Sequence, residues 1–480
     1  MKFRLILPIT VFLFVVNVNA IELKTSVLKV LNSKSKLTIK NRINLARELD
    51  KAGFYHSAMA ERIYVLQAAR RYNRMLADEV GQASLILMNL DAVRSMASQF
   101  RSKINSFPPS LKAAVAWLNF RNGKIKSALK YLPSPEALRS INSKQARYRA
   151  LLLGGTINYA AGKLATADRY FALTSGIDKN VVDPGWAPLQ RARMYYEANR
   201  TSATSSQLGK IKKSSTAWYP GLMVSAWSAY RAGDYNLALG QLMTLRSPYL
   251  VNKFNPEIHI LEATTLYELC YFRSAQQSLA EHVKRYQGVG SSLEKFKSQY
   301  GSSLNGIKRA LKYAKNSKVD KNYRLNHWQL IMDGVLADHS IEMISKGLDH
   351  LELEQKTIKG FSTNLRNSSR STFGRYIKFM NNAKRSYARE VQKDFSRRLK
   401  EMSRSLKESR EQYLTVKLEV DFKVRDRLYD NVRPRIKKVD YDAEVKKGFE
   451  FWPWQGEFWR DELGGYYFIT SDVCGRGEVR

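Results

Sequence analysis

Apolar residues recur along most of the chain at the three- and four-residue spacing of an amphipathic helix, which predicts an all-α protein. Two long stripes follow residue 293. The first comprises Met332, Val335, Leu336, Ile341, Ile344, Leu348 and Leu351. The second comprises Tyr376, Met380, Ala383, Tyr387, Val391, Phe395, Leu399, Met402 and Leu406. Its eight steps span 30 residues, a mean of 3.75, which is longer than the 3.5 of a left-handed coiled coil. We therefore expect a long helix packed on other helices, not a heptad zipper.

Before residue 290, a signature of small residues recurs five times. Glycine or cysteine is followed by an aromatic or aliphatic residue after two positions and by alanine after five. The copies are Gly53/Tyr55/Ala58, Gly123/Ile125/Ala128, Gly162/Leu164/Ala167, Gly233/Tyr235/Ala238 and Cys270/Phe272/Ala275. Seven positions before each copy lies another small residue, namely Ala46, Ala116, Gly155, Ala226 or Ala263. Small residues at these points let two antiparallel helices approach closely around a tight turn, so each copy predicts a helical hairpin.

The spacing of the copies indicates a repeat array. Their first positions are 70, 39, 71 and 37 residues apart, so two degenerate copies are expected in the long gaps, around residues 85–100 and 187–208. The pattern resembles the tetratricopeptide repeat, with small residues at positions 8 and 20 and glycine at position 15. Position 11, commonly tyrosine in that family, departs from it, being Leu49, Asn119, Asn158, Ala229 and Leu266. The resemblance implies a solenoid of stacked hairpins.

The same resemblance implies a concave groove that receives a peptide or a partner helix. The groove positions 9, 12 and 13 are rich in aromatic residues and arginine, which dominate binding energy at interfaces. They are Trp117, Phe120, Arg121, Tyr159, Trp227, Tyr230, Arg231 and Tyr267. The alternative is that the position-12 aromatics pack between neighbouring hairpins.

The first twenty residues predict export. A basic start with Lys2 and Arg4, an apolar run over residues 5–16 and small residues before position 21 describe a cleavable signal peptide. No later stretch of the sequence approaches the length of a membrane span. We therefore expect a periplasmic protein, with the signal peptide removed after Ala20.

The charge balance points to acidic partners. The chain has 80 Lys and Arg against 43 Asp and Glu, a formal net charge of +37, so it should attract polyanions. In an exported protein these are acidic envelope proteins, acidic wall polymers or anionic lipid headgroups, and no nucleic acid is expected. The candidate contact residues on the second stripe's polar side are Arg385, Arg389, Lys393, Arg397 and Lys400. Alternatively, these residues form an ordinary solvated helix face.

The last fifty residues are dense in aromatic residues, glycine and proline, which is typical of a compact cap. Trp452, Trp454 and Trp459 could stack on sugar rings or on a partner, or the segment could seal the end of the helical array. The segment is similar to the C-terminal part of repeat proteins encoded with bacterial gliding-motility and Tol-like envelope machinery, over a few tens of residues. The sequence thus divides into residues 1–20 (signal peptide), 21–290 (repeats), 291–431 (long basic helices) and 432–480 (cap), with 288–292 as a linker.

Catalytic motifs are not recognisable in the sequence. It contains no HExxH motif, P-loop, GxGxxG loop or GxSxG elbow, and His339 and His350 favour a solvated or packing role over a metal site. No cofactor is expected.

The two cysteines do not make a disulfide scaffold. Cys270 can pack as a small apolar residue, and an oxidising compartment would permit a bridge to Cys474. The sequence therefore predicts a non-enzymatic scaffold that holds partner proteins in an envelope complex, or alternatively a binding protein for wall glycan or anionic polymer.

Overall fold

The computed structural model describes residues 38–68, 72–177, 183–301, 303, 305–310, 326–361, 367–429, 441–448, 450, 456–468, 470 and 474. Within these residues the secondary structure is helical and no strand is present, so the predicted all-α class is confirmed. None of the described helices is both long and apolar enough to cross a membrane. The predicted signal peptide lies outside the described residues.

The described residues between 38 and 286 form seven consecutive pairs of packed helices. The pairs are α1 (Ile39–Lys51) with α2 (Tyr55–Ala68), α3 (Arg74–Leu87) with α4 (Leu90–Gln99), α5 (Pro109–Arg121) with α6 (Ile125–Tyr131), α8 (Lys144–Ala160) with α9 (Leu164–Ala172), α10 (Trp186–Glu197) with α11 (Thr201–Leu208), α12 (Trp218–Arg231) with α13 (Tyr235–Arg246) and α14 (Ile258–Glu268) with α15 (Phe272–Tyr286). A single-turn helix, α7 (Pro135–Leu138), follows the third pair. The two predicted degenerate copies correspond to the pairs α3–α4 and α10–α11.

Each pair turns on one residue with a left-handed backbone. These residues are Gly53, Met88, Gly123, Gly162, Asn199, Gly233 and Cys270, with φ between 57° and 79°. Successive turn residues are 34 to 39 residues apart, so the structural repeat continues through both degenerate copies. Glycine is favoured at such a turn because it has no Cβ to clash when φ is positive.

Hydrogen bonds at the turns show how the first helix of a pair ends. In the third pair, the amide of Gly123 donates to the carbonyl of Phe120 at 2.9 Å, and the amide of Lys124 donates to the carbonyl of Asn119 at 2.9 Å. This is the Schellman arrangement, which satisfies the last carbonyls of a helix. The amides of Gly162 and Lys163 repeat it in the fourth pair.

The turn glycines do not serve close helix approach, which corrects the reason expected from the sequence. A Cβ built on Gly53, Gly123, Gly162 or Gly233 would meet no atom within 4 Å. The other small positions of the signature do lie at helix contacts. Gly155 on α8 is buried, and a Cβ there would lie 2.3 Å from the Phe171 ring of α9. The signature alanines are all buried: Ala46, Ala58, Ala116, Ala128, Ala167, Ala226, Ala238, Ala263 and Ala275.

The remaining helices are α16 (Val289–Phe296), α17 (His327–Leu336), α18 (His339–Phe361), α19 (Asn367–Tyr429) and α20 (Tyr441–Lys446). The predicted linker over residues 288–292 is wrong, because α16 begins directly after Gly288 and buries Val289, Leu293 and Phe296. The second apolar stripe is confirmed as one face of α19, since its residues from Tyr376 to Met402 are at most 2% exposed.

The chain divides into two compact units. Unit 1 comprises Met1–Val182 and Met343–Val391, and unit 2 comprises Asp183–Glu342 and Gln392–Arg480. The helices α18 and α19 contribute residues to both units, so the units cut across the segments 21–290, 291–431 and 432–480 drawn from the sequence. In unit 1, the apolar core runs from Met59 to Tyr170, and Phe379 of α19 packs against it.

Unit 2 has separate core clusters under its hairpins. Leu222, Leu242 and Leu261 belong to a cluster between α12, α13 and α14. Val420 of α19 lies in a further cluster with Ala263 and Leu279 of the last hairpin.

Residues 464–468 of unit 2 lie along α13. A Cβ on Gly240 would lie 1.9 Å from the carbonyl oxygen of Tyr466, so this close passage requires glycine. The amide of Gly464 donates to Thr244 Oγ1 at 2.9 Å, and the amide of Phe468 donates to the Asn236 carbonyl at 3.2 Å. This part of the predicted cap therefore covers the side of the sixth hairpin.

A disulfide joins Cys270, the turn residue of the last hairpin, to Cys474, with a Cα–Cα distance of 5.2 Å. The two cysteines are 204 residues apart in the sequence, and that separation offers no sequence signal for pairing. The bridge fastens the end of the chain to the seventh hairpin of unit 2.

The turn geometry makes a paired prediction for stability. Gly123→Ala should lower the free energy of unfolding by about 1–2 kcal/mol, because alanine at positive φ is strained. Gly374→Ala in α19, where a Cβ would meet nothing within 4 Å, should raise it by about 1 kcal/mol, because alanine favours a helix interior. Denaturant unfolding of both variants checks this. Equal effects of the two changes would contradict the assignment of Gly123 to a left-handed turn.

Candidate functional site

The groove residues predicted on α5 lie inside unit 1. Trp117 is only 4% exposed and belongs to the core cluster, so its ring cannot be offered to a partner. Phe120 packs against the cluster of Ala116, Ala128 and Ile157, which joins α5 to α6 and α8. Both aromatic residues therefore contribute to packing within and between hairpins.

Arg121 contacts the long helix of the same chain. Its Nη2 and Nε lie 2.6 Å and 3.0 Å from Oε2 of Glu390 on α19. Both side chains are largely buried, with 10% and 13% exposure. A buried charge is costly unless it is paired, so this ion pair helps to set the position of α19 on the hairpins of unit 1.

Further polar contacts hold α19 on the hairpins of unit 1. The hydroxyl of Tyr387 donates to the carbonyl of Leu87, at the end of α3, over 2.5 Å. Arg375 lies 3.3 Å from buried Glu61 of α2, which also pairs with Arg42 of α1. In unit 1, Arg121, which the resemblance assigns to a partner site, thus helps to hold a helix of the protein itself.

Tyr267 in unit 2 has a comparable environment. It is half-buried and packs against the cluster that contains Val420 of α19, as Val416 and Val424 of α19 also do. Its ring also lies 5.4 Å from that of Phe272. Tyr159, in unit 1, is half-buried at the end of α8.

Trp227 and Tyr230 link consecutive hairpins of unit 2. Trp227 Nε1 donates to Glu257 Oε2 at 3.2 Å, and the Tyr230 hydroxyl donates to Glu268 Oε1 at 3.3 Å. The two rings meet edge to face at 6.1 Å. Partial burial, followed by the neighbouring Glu268 carboxylate, raises the pKa of Tyr230 to about 12, so the hydroxyl remains a donor at neutral pH.

Arg231 extends the same row toward the preceding hairpin. Its Nη1 donates to the Tyr196 carbonyl at 3.0 Å, its guanidinium lies 4.5 Å above the Tyr196 ring, and it also contacts Asn199. Trp227, Tyr230 and Arg231, three of the predicted groove residues, therefore join the hairpins α10–α11, α12–α13 and α14–α15. These contacts favour the alternative in which position-12 aromatics pack between hairpins.

The predicted basic residues are exposed on α19. Arg385 and Arg389 belong to unit 1, and Lys393, Arg397 and Lys400 belong to unit 2; all five are solvent-exposed. Arg397 is engaged by Asp338 at 2.5 Å and by Glu401 at 2.7 Å. Within the described part of the chain, Arg385, Arg389 and Lys400 form no ion pair, so their charges are available to a partner.

Of the C-terminal tryptophans, Trp459 is described and is 48% exposed. Its backbone amide donates to the Tyr466 hydroxyl at 3.1 Å. Trp452 and Trp454 lie outside the described residues.

The two histidines of α18 have different neighbours. His339, in unit 2, stacks on Trp186 with 4.4 Å between ring centroids, which is a packing role of the kind expected. His350, in unit 1, lies instead beside His56 and Glu354. Nothing in the sequence pattern links His56 to residues almost 300 positions later, so sequence reasoning missed this group.

In sequence, the chain matches no known protein family and no curated protein. Conclusions about its role therefore depend on its own residues.

The Arg121–Glu390 pair makes a testable prediction. Glu390→Ala should destabilise unit 1 by roughly 3 kcal/mol, because it removes the carboxylate that pairs with a largely buried guanidinium. The double variant Arg121→Ala/Glu390→Ala should cost less than the sum of the two single changes, since the pair is then removed together. A double-mutant cycle from denaturant unfolding checks this, and strictly additive effects would contradict the pairing.

Tyr230 makes a second prediction. Tyr230→Ala combined with Arg231→Glu should lower the free energy of unfolding by roughly 2 kcal/mol, because a half-buried aromatic and an inter-hairpin contact are lost. Tyr230→Phe is the matched control. It keeps the ring and loses one partly exposed hydrogen bond, so it should cost less than about 1 kcal/mol. If the double variant keeps the stability of the wild type and no longer binds a partner, the packing role is contradicted and these residues line a binding groove.

Proposed function

We propose that the protein is an exported, non-enzymatic scaffold of the cell envelope, built from tetratricopeptide-like hairpins, that holds its own long helix and presents that helix's basic face to an acidic partner. The observation that carries the proposal is the contrast between the two sides of α19. Its apolar side is buried, whereas Arg385, Arg389 and Lys400 are exposed without ion pairs among the described residues.

The hairpin array supports the tetratricopeptide-like assignment. Left-handed turn residues recur every 34 to 39 residues, and the alanines and Gly155 of the signature are buried. A hairpin of this kind cannot bury its apolar face alone, so stacked neighbours complete the core. An array of this type suits a scaffold that holds partner proteins.

Two further observations support export to an envelope compartment. The first twenty residues have the charge and apolar pattern of a signal peptide. The disulfide between Cys270 and Cys474 is of the kind that persists in oxidising compartments such as the bacterial periplasm. We infer a periplasmic location from these two features.

The groove residues have a different part in this proposal. Arg121 pairs with Glu390 of α19, and Tyr267 packs against a cluster that includes Val420 of α19. The side chains of Trp227, Tyr230 and Arg231 join hairpins. We therefore assign partner binding to the basic face in preference to the concave groove.

The exposed face of Trp459 favours a second candidate function, the binding of wall glycan or anionic polymer, because an exposed indole can stack on a sugar ring.

Charge reversal of the basic face tests the proposal. The variant Arg385→Glu/Arg389→Glu/Lys400→Glu should weaken binding to an acidic partner at least tenfold, roughly, since each exposed ion pair contributes up to about 1 kcal/mol. The control is Lys124→Glu/Lys126→Glu/Lys163→Glu, which changes the net charge equally at exposed hairpin lysines of unit 1. The measurements are pull-down from solubilised envelopes, binding to polyglutamate and binding to vesicles containing phosphatidylglycerol, each at low and high salt.

The outcomes separate the candidates. An acidic protein that is lost with the first variant and kept with the control supports the scaffold, whereas selective loss of polymer binding supports the second function. Binding should also fall steeply with salt, because exposed charges are screened over about 8–10 Å near physiological ionic strength. Equal effects of the two variants, or no effect of salt, would show that α19 has only a solvated basic face.

A further inference from the structure

Two imidazoles and one carboxylate come together in unit 1, where α18 packs on the start of α2. One ring nitrogen of His56, one of His350 and one carboxylate oxygen of Glu354 all lie within 4.8 Å of one another. His56 and Glu354 are buried, and His350 is half-buried. Among the residues that the structure describes, no other three His, Cys, Asp or Glu side chains are grouped in this way.

His56 is the unusual member of this group. It is completely buried, and neither ring nitrogen makes a hydrogen bond of ordinary geometry to a described residue, although the Gly347 backbone is close enough to act weakly on its pKa. A buried polar group without a partner loses the hydrogen bonds that water would give it. One of its ring nitrogens lies within 4.8 Å of a His350 ring nitrogen and of a Glu354 carboxylate oxygen, and both of these atoms can bind a metal ion.

Glu354 and His350 are already held in position. The Glu354 carboxylate accepts the amides of His56 and Ser57 at 3.0 Å and 2.7 Å and the Ser57 hydroxyl at 2.6 Å. Its Oε2 accepts only the first of these bonds and lies 3.9 Å from His350 Nδ1. The His350 ring stacks on Tyr55 with 5.2 Å between centroids. Such outer contacts fix the orientation of ligand side chains in metal sites.

Burial disfavours the charged forms of both His56 and Glu354. Burial, and then the neighbouring His350, lowers the pKa of His56 to about 3. Burial raises the pKa of Glu354 to about 7 despite the hydrogen bonds from Ser57 and His56. A divalent cation beside Glu354 would favour its ionised form.

We propose that His56, His350 and Glu354 bind one Zn²⁺ ion. Two imidazoles and one carboxylate form a donor set that suits zinc and not magnesium or calcium, which prefer oxygen ligands alone. Tetrahedral zinc with bonds of about 2.0–2.1 Å places its ligands about 3.3 Å apart, so the side chains need to move by about 1 Å. A water molecule would be the fourth ligand.

The ion would join two parts of unit 1 that are far apart in sequence, since His56 and Glu354 are 298 residues apart. It would fasten α18 to the first hairpin at the point where Glu354 already caps α2. This inference does not depend on the proposed binding of an acidic partner.

The test uses the full mature chain without a polyhistidine tag and with Zn²⁺ and Co²⁺ as probes. Wild-type protein should bind one Zn²⁺ per chain at this site, melt at a higher temperature with zinc than with a chelator, and give the intense visible absorption of four-coordinate Co²⁺. His350→Ala should weaken zinc binding by at least 100-fold, roughly, because a direct ligand is lost. His350→Gln, which keeps a polar side chain, should do the same.

His339→Ala is the matched control. His339 lies on the same helix, is similarly half-buried and has a carboxylate one turn later, with Glu342 Oε2 3.6 Å from Nδ1, but it has no third ligand among the described residues. This variant should bind zinc and cobalt as the wild type does. The proposal is overturned if wild type binds no zinc, if both His350 variants bind it as tightly as wild type, or if the His339 variant loses as much affinity as they do. Circular dichroism without metal confirms that each variant is folded.

Discussion

Burial of one apolar stripe on α19 is the constraint on which the rest of this structure depends. The stripe residues from Tyr376 to Met402 are almost completely removed from water, and hydrophobic burial of this kind is the dominant favourable term in folding. A helix with such a face needs a surface to cover it. In unit 1 that surface comes from the hairpins around Leu87 and Arg121, and in unit 2 Phe395 stacks on Phe296 of α16.

This constraint decides what the predicted binding residues do. Among the predicted groove residues, Arg121 forms an ion pair with α19, and Tyr267 packs against a cluster that includes Val420 of α19. The polar side of α19 is then the surface that stays in water, with its cations exposed. The same helix thus fills one potential binding surface and supplies another, which is why we propose an acidic partner for its basic face.

Buried polar groups mark where distant segments of unit 1 are joined. Glu354 accepts three hydrogen bonds at the start of α2, and Glu61 meets arginines from both α1 and α19. Such groups are costly to bury unless they are satisfied. His56 does not follow that rule, and this exception is what points to a metal ion. The proposed zinc site would therefore reinforce a junction that the carboxylate already makes.

The sequence by itself determined the helical class, the hairpin period and the buried face of α19, because these follow from local backbone preference and from apolar spacing within single helices. Glycine at positions 53, 123, 162 and 233 reports a left-handed turn without any reference to the rest of the chain. Only the tertiary structure decided that Arg121 meets Glu390, that Cys270 pairs with Cys474 and that His56 lies beside His350. Each of these joins residues more than 200 positions apart, and neither periodicity nor spacing in one sequence encodes which distant surfaces pack together.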